Sequence, residues 1–158
     1  LNYAIVLQTN HPQLSTISQT NAFIMTKHVE MLKATTPDTK IKGVSDITVS
    51  GKKISGNAQK RKKNALLFHG TFLLKGFNIL SIQTYLKQPP KQPDYRENRS
   101  HKDFVTLLPT SSALLTRKLK TIWGAHKNLP TDFEHYLCCK TAELSSQTYS
   151  QKSWNWER

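Results

Sequence analysis

At 158 residues the chain is long enough for one domain with a real core, and 37% apolar with 21% charged residues reads as an ordinary soluble globular sequence. No apolar run reaches the length of a membrane span and no basic stretch introduces a signal peptide. The two cysteines, Cys138 and Cys139, are adjacent, which excludes a disulfide framework and a zinc site and makes a reducing cytoplasm the expected location. The net charge of +13 points to a polyanionic partner without choosing among nucleic acid, acidic membrane, nucleotide or acidic protein.

In chain order, NYAIVL (Asn2 to Leu7) is an apolar run too short for a helix and is predicted as a strand. Ile17, Ile24, Met25, His28, Met31 and Leu32 recur at helical spacing and predict a helix from about Gln13 to about Lys33. TTPDTKIKG reads as a polar linker. Ser50-Gly51 is a two-residue hairpin turn between SDITV and KKIS. Asn64 to Leu74 (NALLFHGTFLL) is rich enough in apolar residues for a buried central strand. A short helix around NILSIQTYL precedes a proline-rich, polar loop, KQPPKQPDYRENRSHKD. Tyr95, Arg96, Arg99 and His101 of that loop could close over a nucleotide, but surface decoration is the favoured reading.

The last third is helical. Leu114, Leu115, Lys118, Leu119 and Ile122 share a face, and Gly124 is placed as a stop. A second helix starts at PTDFE, where Thr131 and Glu134 have the spacing of a capping box; Phe133, Tyr136, Leu137 and Leu144 are its expected buried face. The order of elements predicts an α+β fold, a mixed or antiparallel sheet flanked by helices.

A two-residue turn at Ser50-Gly51 pairs Val49 with Lys52, Thr48 with Lys53, Ile47 with Ile54 and Asp46 with Ser55. One face then carries Ile47, Val49, Lys52 and Ile54, and the other Asp46, Thr48, Lys53 and Ser55. The polar face is either in water or lines a ligand cleft, with Lys53 meeting an anion and Asp46 a cation or hydroxyl. Gly56 is where a backbone could approach a ligand closely.

Ser45-Asp46, Lys53-Ile54-Ser55-Gly56-Asn57-Ala58 and His69-Gly70-Thr71 resemble, at matching separations, the core blocks of the lipoate–protein ligase family within the biotin/lipoate ligase fold. DFVTLLP and KSWNWER resemble later segments of its catalytic domain. The resemblance implies one partial catalytic domain over residues 1–158. It implies ATP-dependent activation of lipoate or octanoate to an acyl-adenylate, then transfer to a lysine of an acidic lipoyl-domain acceptor, with the chain acting as a monomer away from membranes. Lys53 matches the lysine contacting the acyl carboxylate and the phosphate, and Asp46 the acid on the nucleotide and Mg²⁺ side. Ser55, Gly56, Asn57, His69 and Gly70 match positions lining the acyl pocket, although for His69 a satisfied core histidine is an equal reading.

Two departures qualify the resemblance. The family's Arg-Arg-x-Ser/Thr-Gly-Gly-Gly motif, which lies just upstream of a segment like LNYAIVL, is absent, so the chain is expected to be truncated at its N-terminus and less than fully active alone. Related octanoyltransferases, the alternative reading, use a cysteine shortly before the equivalent of SDITV, where this chain has TKIKGVSD. A second alternative leaves enzymes altogether: a basic binding module for nucleic acid or an acidic protein. Lys60, Arg61, Lys62 and Lys63 could be a solvated strand edge, a guard against edge pairing or a docking patch. Nucleic acid is disfavoured because the run has no aromatic interleaving and no nucleic-acid fold motif accompanies it.

Overall fold

The strands are β1 (Asn2–Gln8), β2 (Thr39–Lys42), β3 (Asp46–Val49), β4 (Lys52–Arg61) and β5 (Ala65–Phe72). In the computed structural model, which describes residues 1–156, they form one five-stranded antiparallel sheet of order β1-β5-β4-β3-β2. Together with α1 (Ile17–Lys33), α2 (Ile79–Tyr85), α3 (His101–Phe104) and α4 (Ser112–Ile122) they belong to a compact unit, Leu1–Trp123. This is the α+β architecture that the order of sequence signals predicts.

Side chains alternate across the sheet, so each strand offers the helices every second residue. Leu66, Phe68 and Phe72 of β5 and Ile47 and Ile54 of the β3–β4 hairpin meet Ile24, Met25, Val29 and Leu32 of α1 and Leu115 and Leu119 of α4 in one apolar core. Each of these side chains contributes on the order of 1.5–3 kcal/mol by leaving water. The other face of β5, with Leu67, His69 and Thr71, is exposed. The strand is therefore interior to the sheet but buried on one side only, which corrects the fully buried strand expected from its composition.

Three boundaries also move. α1 begins at Ile17 because Thr16, in an extended conformation, caps it by accepting from Gln19 N–H; Pro12–Leu14 forms a separate 3₁₀ turn. The expected linker after α1 contains β2, an edge strand paired Thr39 to Val49 and Ile41 to Ile47. Its apolar content is too low to show periodicity, and backbone pairing to β3 makes it a strand. β4 runs well past the predicted KKIS, to Arg61.

The second unit, Gly124–Arg158, contains α5 (Thr131–Leu144) and α6 (Lys152–Trp156). Gly124 has φ +62°, the left-handed conformation expected of a helix stop. The capping box does not form: Thr131 is already inside α5, the cap is Pro130, and no side chain satisfies the first turn. Phe133, Tyr136, Leu137 and Leu144, expected to be buried, are exposed. KSWNWER, quoted for its resemblance, falls partly on α6, and its last two residues lie outside the described ones.

One polar chain crosses the core of the first unit. His28 of α1 is fully buried among Tyr3, Phe72 and Trp123. Trp123 Nε1 donates to His28 Nε2 at 3.0 Å, and Tyr3 Oη lies 3.4 Å from His28 Nδ1 while donating to Asn57 Oδ1 at 2.5 Å. The indole can only donate, so Nε2 accepts, and the neutral ring carries its proton on Nδ1, facing the tyrosine oxygen. Burial lowers the His28 pKa from 6.5 to about 4. The unfolded chain therefore takes up a proton that the folded chain refuses. Stability is complete above pH 6.5 and is lost as pH falls toward about 4. This loss is expected to be about 3 kcal/mol, read as falling urea midpoints, and His28→Gln should flatten that slope.

Candidate active site

The β3–β4 hairpin starts in the predicted register, Val49 opposite Lys52 and Thr48 opposite Lys53, and then slips. A bulge sets Ile47 opposite Ser55 and Asp46 opposite Gly56, replacing the expected pairs Ile47–Ile54 and Asp46–Ser55. The extra residue lets Ile54 and Ser55 both turn toward the core, at 0% and 1% exposure. It also brings Lys53 and Gly56, three apart in sequence, onto the same face. A regular strand would have sent them to opposite faces.

On that face Lys53 Nζ lies 2.7 Å from Asp46 Oδ1, with side-chain exposures of 29% and 13%. The pair is shielded more than a surface ion pair, yet the lysine keeps an open side. Gly56 makes the approach possible: a Cβ there would lie 2.9 Å from Lys53 Nζ and 3.0 Å from its Cε.

A cavity of about 340 Å³ opens over this pair, lined among others by Asp46, Lys53, Gly56, Asn57, His69 and Gly70. Six of the seven residues singled out in the sequence thus meet at one place. His69 is exposed on the open face of β5, which decides between cavity lining and core histidine. Ser55 stands apart, buried on the helix side, and reaches the group only by donating to Asn57 Oδ1 at 3.3 Å.

Asn57 directs its side chain inward. Its Oδ1 accepts from Tyr3 and Ser55, and its Nδ2 and backbone N–H both donate to Ser45 O, at 2.8 and 3.1 Å. The side-chain amide is engaged at both ends, so it ties β4 to the residue preceding Asp46. Gly70, opposite Asn57 in the ladder, has no room for a side chain: a Cβ would fall 2.0 Å from Asn57 Oδ1 and 2.9 Å from the Gly56 carbonyl oxygen.

The proline-rich loop does more than decorate the surface. Tyr95 donates from its phenol to Asp46 Oδ2 at 2.7 Å. Burial first, and then the Asp46 carboxylate, raise its pKa above the ordinary tyrosine value, which keeps the proton on the donor. Arg96, nearly buried, and Arg99 both lie over the Phe104 ring, and Arg99 reaches the hairpin turn at Gly51 O. Thr106 N–H donates to Lys53 O and Leu108 N–H to Leu73 O, so the end of the segment is joined to β4 and to the chain just beyond β5. Polar composition and prolines hid these contacts, because those to the hairpin join residues some fifty apart in sequence and leave no local pattern.

The basic run is divided by the same alternation. Arg61 turns toward the helices and donates to Thr20 Oγ1, Gln59 Oε1 and Leu14 O, while Lys60, Lys62 and Lys63 are exposed. Among the described residues no three His, Cys, Asp or Glu side chains cluster as a metal site, and no helix is long and apolar enough to cross a membrane.

The family model of the lipoyl protein ligase A/B catalytic domain matches residues 1–118. The fold is similar to that of the lipoate protein ligase of an archaeal lipoylation system from Thermoplasma acidophilum, described as bi-partite and studied with its E2 lipoyl domain. That match has a TM-score of 0.73 at 20% identity, covering 98% of this chain and 62% of the other. A lipoate-protein ligase A bound with ATP matches with a TM-score of 0.68 at 22% identity, over 98% and 64%. A candidate lipoate protein ligase from T. acidophilum with bound lipoic acid matches at 0.68 and 19%, over 99% and 64%. At these identities the likeness establishes the fold, and the chain spans under two thirds of each of these structures. No curated protein sequence matches.

The two glycines should respond differently to alanine. Gly56→Ala obliges only the flexible end of Lys53 to move and should shift the melting temperature by no more than about 2 °C while displacing the amine from Asp46. Gly70→Ala meets backbone and the Asn57 side-chain amide, which is held by hydrogen bonds, so it should cost roughly 1–3 kcal/mol and lower the melting temperature by several degrees.

Proposed function

Because the chain belongs to the lipoyl protein ligase A/B catalytic-domain family, we propose that it activates lipoate or octanoate with ATP and passes the acyl group to a lysine of a lipoyl domain. The observation that carries this reading is the half-shielded Lys53–Asp46 pair at the wall of the cavity. In the first step an oxygen of the acyl carboxylate bonds to the α-phosphorus and the bond to pyrophosphate breaks. Two anions must meet, and negative charge builds on the phosphoryl oxygens. Lys53 supplies a fixed ammonium there, cancelling repulsion and stabilising the transition state. In the second step the acceptor amine bonds to the acyl carbonyl carbon, AMP leaves, and the amine gives up its proton.

The donor set suits Mg²⁺ only in part. Asp46 is a single carboxylate, so it would be one protein ligand while phosphates and water complete the shell, the usual arrangement for this ion with nucleotides. The ion would screen the phosphate charges. Gly56, His69 and Gly70 would border the acyl group, and the whole chain would serve as one catalytic domain acting as a monomer in the cytoplasm.

Transfer from an acyl carrier without ATP is the alternative. No cysteine lines the cavity, and both cysteines lie in the second unit, which supports adenylation over a thioester route.

Incubation with ATP, Mg²⁺, lipoate and a lipoyl domain should produce acyl-adenylate and add one lipoyl mass to the acceptor. Lys53→Ala should reduce adenylate formation by about 10²-fold or more. Transfer from an acyl carrier without ATP, or unchanged activity in Lys53→Ala, would overturn the reading.

A further inference from the structure

Asp46 stands between two donors. Lys53 takes Oδ1 at 2.7 Å and Tyr95 takes Oδ2 at 2.7 Å. An anion entering the cavity must draw the ammonium away from this carboxylate and approach the carboxylate's own negative charge. How firmly Asp46 keeps Lys53, and how strongly it repels the newcomer, both depend on what else satisfies it. A hydrogen bond to an ionised group is stronger than one between neutral groups, because it disperses the charge.

Tyr95 is placed to do this. Its ring lies 5.2 Å from Phe104, and it packs beside the turn at Gly43, where a Cβ would come within 3.4 Å of Tyr95 Cε1. Gly43 has φ +58°, a left-handed conformation that favours glycine at that turn. The segment bearing Tyr95 is anchored independently, by Arg99 to Gly51 O and by Thr106 N–H to Lys53 O. The phenol is thus held toward the carboxylate by its surroundings.

We propose that Tyr95 is a positioning residue that keeps Lys53 exchangeable: by donating to Asp46 it weakens the carboxylate's hold on the ammonium, so that a phosphate- or carboxylate-bearing ligand can claim it. This rests on the reading of Lys53 as the anion-binding group, and it adds a residue from the loop that sequence reasoning left as decoration.

The test is binding of inorganic pyrophosphate to the full chain without divalent cations, by calorimetry, which separates it from catalysis. Tyr95→Phe should weaken binding about tenfold. Asp46→Asn should bind more tightly than the parent, and in that background Tyr95→Phe should change affinity by less than about twofold, since the charge it manages is gone. Equal affinity in Tyr95→Phe and the parent would overturn the proposal. So would a loss in Tyr95→Phe that persists with Asn at position 46, because it would trace the effect to packing. Absence of adenylate formation alongside these affinities would count against the ligase reading alone.

Discussion

The bulge between β3 and β4 is the constraint on which the site depends. It adds one residue to β4 and so reverses the parity of everything after it. Before the slip, Lys53 shares a face with Thr48; after it, Gly56 shares that face with Asp46. An unbulged hairpin would put Gly56 on the core side and Ser55 beside the lysine, and a Ser55 Cβ would compete for the space that Lys53 uses to reach Asp46. The local cost is a missing ladder pairing. The slip turns Ser55 to the core side, where its hydroxyl donates to Asn57 Oδ1, and leaves Gly56 beside the ion pair.

A second dependency runs through the core. Burying His28, Tyr3, Ser55 and Asn57 would be unfavourable without partners, since each unmatched polar group costs on the order of 1–3 kcal/mol. Here a chain of hydrogen bonds links them, from the Trp123 indole through His28 and Tyr3 to Asn57 and on to the carbonyl of Ser45. Such a chain, with donor and acceptor roles set by the indole and the tyrosine, favours one arrangement, which makes it rigid. Its last member fixes the residue before Asp46. The polar chain inside the core and the charged pair in the cavity are consecutive parts of one structure, joined by the backbone of Ser45 and Asp46.

The two faces of the sheet therefore do different work. The helix side supplies apolar burial and the hydrogen-bonded relay. The other side is occupied at its β3 end by Tyr95, which reaches across to Asp46, and is open at its β5 end, where His69 and Thr71 are exposed beside the cavity. A charged pair at the border between a covered and an open region is shielded enough for its field to matter and exposed enough to meet a ligand.

Much of this was legible in residue order. The apolar alternation of ALLFHGTF, the helical spacing from Ile24 to Leu32 and the Ser50-Gly51 turn are local patterns, and local sterics and burial enforce them directly. The blocks SD, KISGNA and HGT carried the family and the whole lining of the cavity, because chemistry at one site demands particular residue types at particular separations. What the sequence could not supply was anything that depends on where distant segments meet. The bulge has no signature, since Lys-Ile-Ser-Gly fits a regular strand as well as a bulged one. The edge strand at Thr39–Lys42 exists through its partner, and the pairing of Tyr95 with Asp46 and of Tyr3 with Asn57 spans some fifty residues. By itself the sequence determined the elements, the family and the identity of Lys53 and Asp46 as a pair of interest. Only the tertiary structure decided that they touch, that Gly56 makes room for them, that Asn57 faces inward, and that a tyrosine from the proline-rich loop holds the carboxylate between them, because side-chain parity and long-range contact are set by packing.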